Sequence, residues 1–92
     1  MTVNIEKTLP IINVKGLHAR ASAKFVEVVE SFDAEAAVSR DGMTVSGDSI
    51  MGLLMLAASN GTSIDVQTTG ADAQPLLIAL EDLLIDRFGE GT

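Results

Sequence analysis

Along this chain the hydrophobic residues switch repeatedly between a spacing of two and a spacing near 3.6, and that switching leaves few folds open. Val3, Ile5, Leu9 and Ile11 share one parity against Asn4, Glu6 and Thr8, which predicts a half-buried strand. Pro10 lies inside it and cannot donate to a ladder, so this strand belongs at a sheet edge or a bulge. Ala21, Phe25, Val28, Val29 and Phe32 then recur at helical spacing, with Lys24, Glu27, Glu30 and Ser31 on the other side, an amphipathic helix. Asp41-Gly42 sits between two short β-compatible runs from Ala36 to Ser46 and predicts a two-residue hairpin, hence antiparallel pairing. Ile50 to Ala58 reads as a short helix capped by Asp48 or Ser46 and ended by Asn60-Gly61. Ser63 to Thr69 alternates again. From about Asp72 to Phe88, Leu76, Leu77, Leu80, Leu83, Leu84 and Phe88 form the stripe of a last helix, with Pro75 in its first turn and Gly89 at its stop. The order is β-α-β-β-α-β-α. This is an α+β pattern whose natural solution is two layers: an antiparallel sheet with the helices on one face. We expect one domain over residues 1–92, with 89–92 as a loose C-terminal tail.

Composition narrows the function. The 92 residues suffice for one core. Six basic and 13 acidic residues give a net charge of −7, which argues against nucleic-acid or anionic-membrane partners. There is no cysteine, so disulfides, thiol catalysis and thiolate metal sites are excluded. One histidine makes a zinc site improbable, and no metal or cofactor is expected. The longest mostly apolar run, Ile50 to Ala58, is far short of the ~20 residues of a membrane span. No secretory signal pattern precedes the first strand, and the expectation is a cytoplasmic domain.

The single histidine, His18, follows Gly16-Leu17 and stands where the amphipathic helix begins. No Ser, Thr, Asp or Asn occupies the usual capping position, so the first helical amides, those of Ala19 and Arg20, lack a side-chain partner. Free amides at a helix start favour an anion, and the same positive end disfavours an imidazolium. A neutral imidazole there is a nucleophile, and a phosphoryl group placed on it would rest over the amides. Between Lys7 and Val26 the chain carries four basic residues (Lys7, Lys15, Arg20, Lys24) and no acidic one. Arg20 is placed to meet a phosphoryl oxygen with its planar fork. The competing reading is structural. A helix begun earlier would carry His18 on the stripe that holds Phe25, as a buried core residue of a non-catalytic α/β binding domain.

Ser49, in Ser46-Gly47-Asp48-Ser49-Ile50-Met51-Gly52, misses the hydrolase nucleophile-elbow spacing by one residue. It reads either as an ordinary helix-start serine or as a regulatory phosphoacceptor on an exposed helix start. The apolar run after it, Ile50 to Leu56, is apolar on every face, more than a short helix can bury against one sheet. About half of it is expected in the core and the rest in an adaptable docking patch. Ile78 and Ile85 lie off the stripe of the last helix as scattered surface residues.

With these residues in place, Gly16-Leu17-His18-Ala19-Arg20 resembles the HPr family, the histidine-containing phosphocarriers of the bacterial phosphotransferase system. Ser49-Ile50-Met51-Gly52-Leu53-Leu54 resembles that family's second signature, and the order of elements agrees over nearly the whole chain. The resemblance implies an open-faced β-sandwich with a four-stranded antiparallel sheet and three helices on one side. It implies that His18 takes a phosphoryl group on Nδ1 from enzyme I, charged by phosphoenolpyruvate, and passes it to an EIIA-type protein. Such a protein is a carrier and not a stand-alone enzyme. Arg20 would stabilise the phosphoryl group, and Ser49 would be the target of an HPr kinase/phosphorylase. Ile50, Met51, Leu54 and Met55, with Lys24, would form the docking face, and a monomer suits such a carrier. One departure is Ala21, where the family commonly has proline. The lead-in Leu9-Pro10-Ile11-Ile12-Asn13 is similar to the nitrogen-related branch, NPr.

Overall fold

The computed structural model describes residues 3–92. Its elements are β1 (Asn4–Pro10), α1 (Ala19–Glu30), β2 (Glu35–Arg40), β3 (Met43–Ser46), α2 (Ile50–Met55), β4 (Ser63–Thr69) and α3 (Ala73–Ile85), followed by a 3₁₀ turn over Arg87–Gly89. The four strands form one antiparallel sheet in the order β1-β4-β2-β3, with three helices on one side. β1 is an edge strand and Pro10 its last residue, where the missing donor does no harm. In the β2–β3 hairpin Arg40 faces Met43, and Asp41 (φ 50°) and Gly42 (φ 80°) are both left-handed, as a tight two-residue turn requires.

Alternation divides the sheet into two chemically distinct faces. Leu9, Ile64, Val66, Ala36 and Val38 are buried under the helices. The other parity forms polar rows: Thr8 beside Asp65, Asp65 beside Ser39, and Ser39 beside Thr44. Thr8 Oγ1 donates to Asp65 Oδ1 at 2.5 Å, and the Ser39 and Thr44 hydroxyls meet at 2.8 Å. Glu6, Glu35 and Asp65 place acidic charge on this open face. Lys7, on the helix-side parity, instead pairs with Glu81 of α3 at 2.5 Å.

α1 buries Ala21, Ser22, Phe25, Val26 and Val29, whereas Val28 and Phe32 of the expected stripe are only half-buried. The buried face is rotated because α1 packs against both α2 and α3. α2 is shorter than expected. It stops at Met55, and Ala57 adopts a left-handed φ of 51°, which turns Ala58 back into the core. Its cap is Ser49, not Asp48 or Ser46: Ser49 Oγ accepts from the Gly52 amide at 3.0 Å, while the Ser46 hydroxyl donates to Asp48 at 2.5 Å. At the other end of α2, Arg40 Nη1 donates to the Leu56 carbonyl at 3.0 Å, a cation at a helix C-terminus.

The C-terminal end differs most from expectation. α3 ends at Ile85, and Arg87, Phe88 and Gly89 follow with φ of 53°, 54° and 74°. This left-handed turn carries Phe88 away from the α3 stripe but leaves it only 1% exposed. Residues 89–92 are therefore not a loose tail. The turn folds them over the β1–α1 loop, where the Val14 amide donates to the Thr92 carbonyl at 3.1 Å and Glu90 is bonded by its side chain.

Candidate functional site

The site lies where the β1–α1 loop enters α1. Gly16 has φ 65°, and a Cβ there would stand 2.6 Å from the Ala58 carbonyl oxygen and 2.8 Å from the Ser59 Cα. Only glycine fits such an approach. The contact lets the Leu17 amide donate to the same Ala58 carbonyl at 2.8 Å, tying the loop to the segment that leaves α2. Leu17 is buried, so the next residue, His18, is pushed outward.

His18 is the N-cap of α1, with extended backbone and no side-chain cap bond. The first intrahelical donor is Ser22, whose amide reaches the His18 carbonyl at 2.8 Å. The amides of Ala19, Arg20 and Ala21 precede it at the positive end of the helix. The His18 side chain is 28% exposed, which sets aside the core-histidine alternative. Beside it lies a shallow pocket of about 190 Å³ lined by Lys15, Leu17, His18, Ala57, Ala58 and Ser59. Arg20 is exposed and enters no ion pair among the described residues.

Two residues of the site were missed in the sequence. The His18 ring meets the Glu90 carboxylate through Nε2, 72 residues away. Asn13 Nδ2 donates both to Glu90 Oε1 at 3.0 Å and to the Gly16 carbonyl at 2.8 Å. The Asn13 hydrogen bond holds the Glu90 carboxyl below its usual range; burial works in the opposite direction, and the His18 ring and Lys15 add to the lowering. Asn13 is fully buried, and its Oδ1 has no partner among the described residues. A buried unpaired acceptor costs about 1–3 kcal/mol. Turning the amide over would set its oxygen against two acceptors, the Gly16 carbonyl and the Glu90 carboxylate. The readable sign was Asn13 itself, a lone polar residue among Leu9, Ile11, Ile12 and Val14.

The remaining expected residues divide. Lys24 is half-buried, and its Nζ donates to the Phe88 carbonyl at 2.5 Å. Ser49 is half-buried at the start of α2. Along α2, Ile50, Met51 and Met55 are 39%, 70% and 64% exposed and Leu54 is half-buried, while Leu53 and Leu56 are in the core. Of the seven residues from Ile50 to Leu56 only Leu53 and Leu56 are buried, fewer than the half expected in the core, because the short helix lays one face on the protein and leaves the rest at the surface. Ile78 and Ile85 are exposed on α3. No group of three or more His, Cys, Asp or Glu able to hold a metal occurs among the described residues, and no helix is long and apolar enough to cross a membrane.

A family model described as the PTS HPr component phosphorylation site matches residues 5–86. This chain belongs to the HPr family. The phosphocarrier protein HPr of Neisseria meningitidis is 47% identical over 87 residues, which cover 95% of this chain and 98% of that protein. That of Cupriavidus necator is 44% identical over 87 residues, with the same coverage. Among solved structures, HPr-C-His from Thermoanaerobacter tengcongensis superposes with a TM-score of 0.89 at 37% identity, covering 94% of this chain and 97% of that one. The four-stranded open sheet with three helices is the fold of these HPr structures. The protein is accordingly a phosphocarrier of the phosphotransferase system.

Proposed function

We propose that His18 is the phosphoryl acceptor and that the protein carries the group in the cytoplasm from enzyme I to an EIIA-type protein. The observation that carries this reading is the start of α1: a partly exposed imidazole at an N-cap with no side-chain capping bond. The Nδ1 lone pair attacks the phosphorus held on a donor histidine. The Nδ1–P bond forms as the donor P–N bond breaks, and that electron pair returns to the donor ring. The phosphoryl oxygens then rest over the amides of Ala19 to Ala21, within reach of the Arg20 guanidinium. Transfer onward repeats the exchange, so catalysis is mainly alignment and charge stabilisation. Ile50, Met51, Leu54 and Met55 supply the apolar docking patch; methionine suits a surface that must fit several partners. Ser49 is the regulatory site for an HPr kinase/phosphorylase: a phosphate there would set a dianion beside that patch.

The test is incubation with enzyme I, phosphoenolpyruvate and Mg²⁺, followed by intact mass. The expected result is one acid-labile phosphoryl group, absent from His18→Ala. An unmodified wild-type chain beside an active enzyme I would overturn the proposal.

A further inference from the structure

The geometry assigns Glu90 as the positioning residue of His18: its carboxylate takes the Nε2 hydrogen, fixes the ring, and leaves Nδ1 as the bare nitrogen that meets the donor. The inference rests on His18 being the acceptor, and it adds a residue outside both sequence motifs.

Three independent features support it. A carboxylate offers only lone pairs, so the contact between Nε2 and Glu90 Oε2 puts the ring hydrogen on Nε2. A neutral imidazole has one N–H, so Nδ1 then carries none, and the bond made by one nitrogen decides the role of the other. The second feature is Asn13. Its amide nitrogen is committed to Gly16 and Glu90 while its buried oxygen goes without a partner among the described residues. Such an unsatisfied group calls for an explanation, and holding the carboxylate on the ring supplies one. The third is the backbone. Arg87 and Phe88 are non-glycine residues in left-handed conformations, which persist only where the surroundings fix them. Here the buried Phe88 ring, the bond from Lys24 Nζ to the Phe88 carbonyl and the bond from Val14 to Thr92 fix them. The product of that turn is Glu90 at the imidazole.

The chemistry explains what the carboxylate does. As Nδ1 gives its electron pair to phosphorus, positive charge spreads over the ring. The Nε2–H keeps its hydrogen, and the adjacent carboxylate stabilises the charge without removing a proton. This is the part an aspartate plays behind the histidine of a hydrolase triad.

The experiment combines quenched flow, using enzyme I and radiolabelled phosphoenolpyruvate, with proton NMR of the unphosphorylated chain. Glu90→Ala is expected to slow phosphorylation at saturating enzyme I by roughly tenfold to a hundredfold, less than the ~10⁴ lost when a triad aspartate is neutralised, because no proton moves here. Half-saturation should be unchanged. Glu90→Gln, which keeps the size and one acceptor, should recover part of the rate, and Asn13→Ala should fall between. The wild-type spectrum should show a slowly exchanging, downfield His18 Hε2 proton that Glu90→Ala removes. If Glu90→Ala loosens the turn as a whole, Glu90→Gln separates charge from packing: a full wild-type rate in a folded Gln variant overturns the inference. An unchanged Hε2 signal in Glu90→Ala, or an effect on half-saturation alone, also overturns it. Failure of the wild type to take phosphate at His18 would instead sink the carrier assignment, and the Hε2 signal would still decide the geometry.

Discussion

The helices α1 and α2 begin in opposite ways, although each begins at a residue that the sequence marks as functional. Ser49 closes its own helix start by accepting from the Gly52 amide at 3.0 Å, while His18 makes no side-chain cap bond and turns its ring to Glu90. A capped start is locally stable and has little left to offer an anion. An uncapped one keeps its donors available at a cost in stability. Under the proposed function this difference assigns the two starts separate work: the open one would receive a transient phosphoryl group, and the closed one would hold the docking patch in place until a modification disturbs it.

The largest expected effect concerns the open start. Arg20→Ala should slow phosphoryl transfer by about 10²-fold, the scale of losing one preorganised donor to a developing anion, with circular dichroism unchanged. A wild-type rate in quenched flow would mean that the backbone amides suffice. The closed start is expected to respond differently. Ser49→Ala should cost about 1 kcal/mol, a fall in Tm of roughly 4–8 °C, with phosphorylation of His18 intact. Ser49→Asp should instead raise the half-saturating concentration of enzyme I, through charge beside Met51. If Ser49→Ala abolished transfer, the two starts would not be separate.

Exchanging the chemistry sharpens the contrast. In a Glu90→Ala background, which removes the ring's own bond, His18→Ser should gain roughly 0.5–1 kcal/mol in urea unfolding by capping α1, as it abolishes phosphorylation. A loss of stability would show that those amides are already satisfied. The smallest effect is on pH. Because the Glu90 carboxyl is held low, chiefly by Asn13, its contribution to stability is fully present above the ordinary carboxylate range and is lost as pH falls through the lowered value. Carboxyl carbon NMR should place the Glu90 titration below that of a model glutamate, and Asn13→Ala should move it up. An unmoved midpoint would remove Asn13 as the cause.

The fold could be read from the sequence because its signals are local. The period-two run of β1, the Phe25 stripe of α1 and the Asp41-Gly42 turn each state their own conformation. His18, Arg20 and Ser49 lie in contiguous motifs, so they could be singled out as candidates from the sequence. The C-terminal half of the site could not. Left-handed Arg87 and Phe88 look like ordinary residues, and continuing the Leu76–Leu84 stripe to Phe88 gave the right burial by the wrong path. Glu90 reaches its partners across 72 and 77 residues, where no spacing rule applies. Ser49 was passed over as the cap of α2 because Ser46 and Asp48 are equally suitable by type, and only the turn geometry selects among them.

The docking of residues 89–92 on the β1–α1 loop has a practical consequence. Because the Thr92 carbonyl is bonded to the Val14 amide and Glu90 is bonded to the His18 ring, an affinity tag or reporter attached after Thr92 would emerge at the β1–α1 loop, close to the His18 imidazole. Handles for immobilisation or fluorescence are better attached on the polar sheet surface, for example at the exposed Ser63 or Thr44, on the side of the sheet away from the helices and from His18.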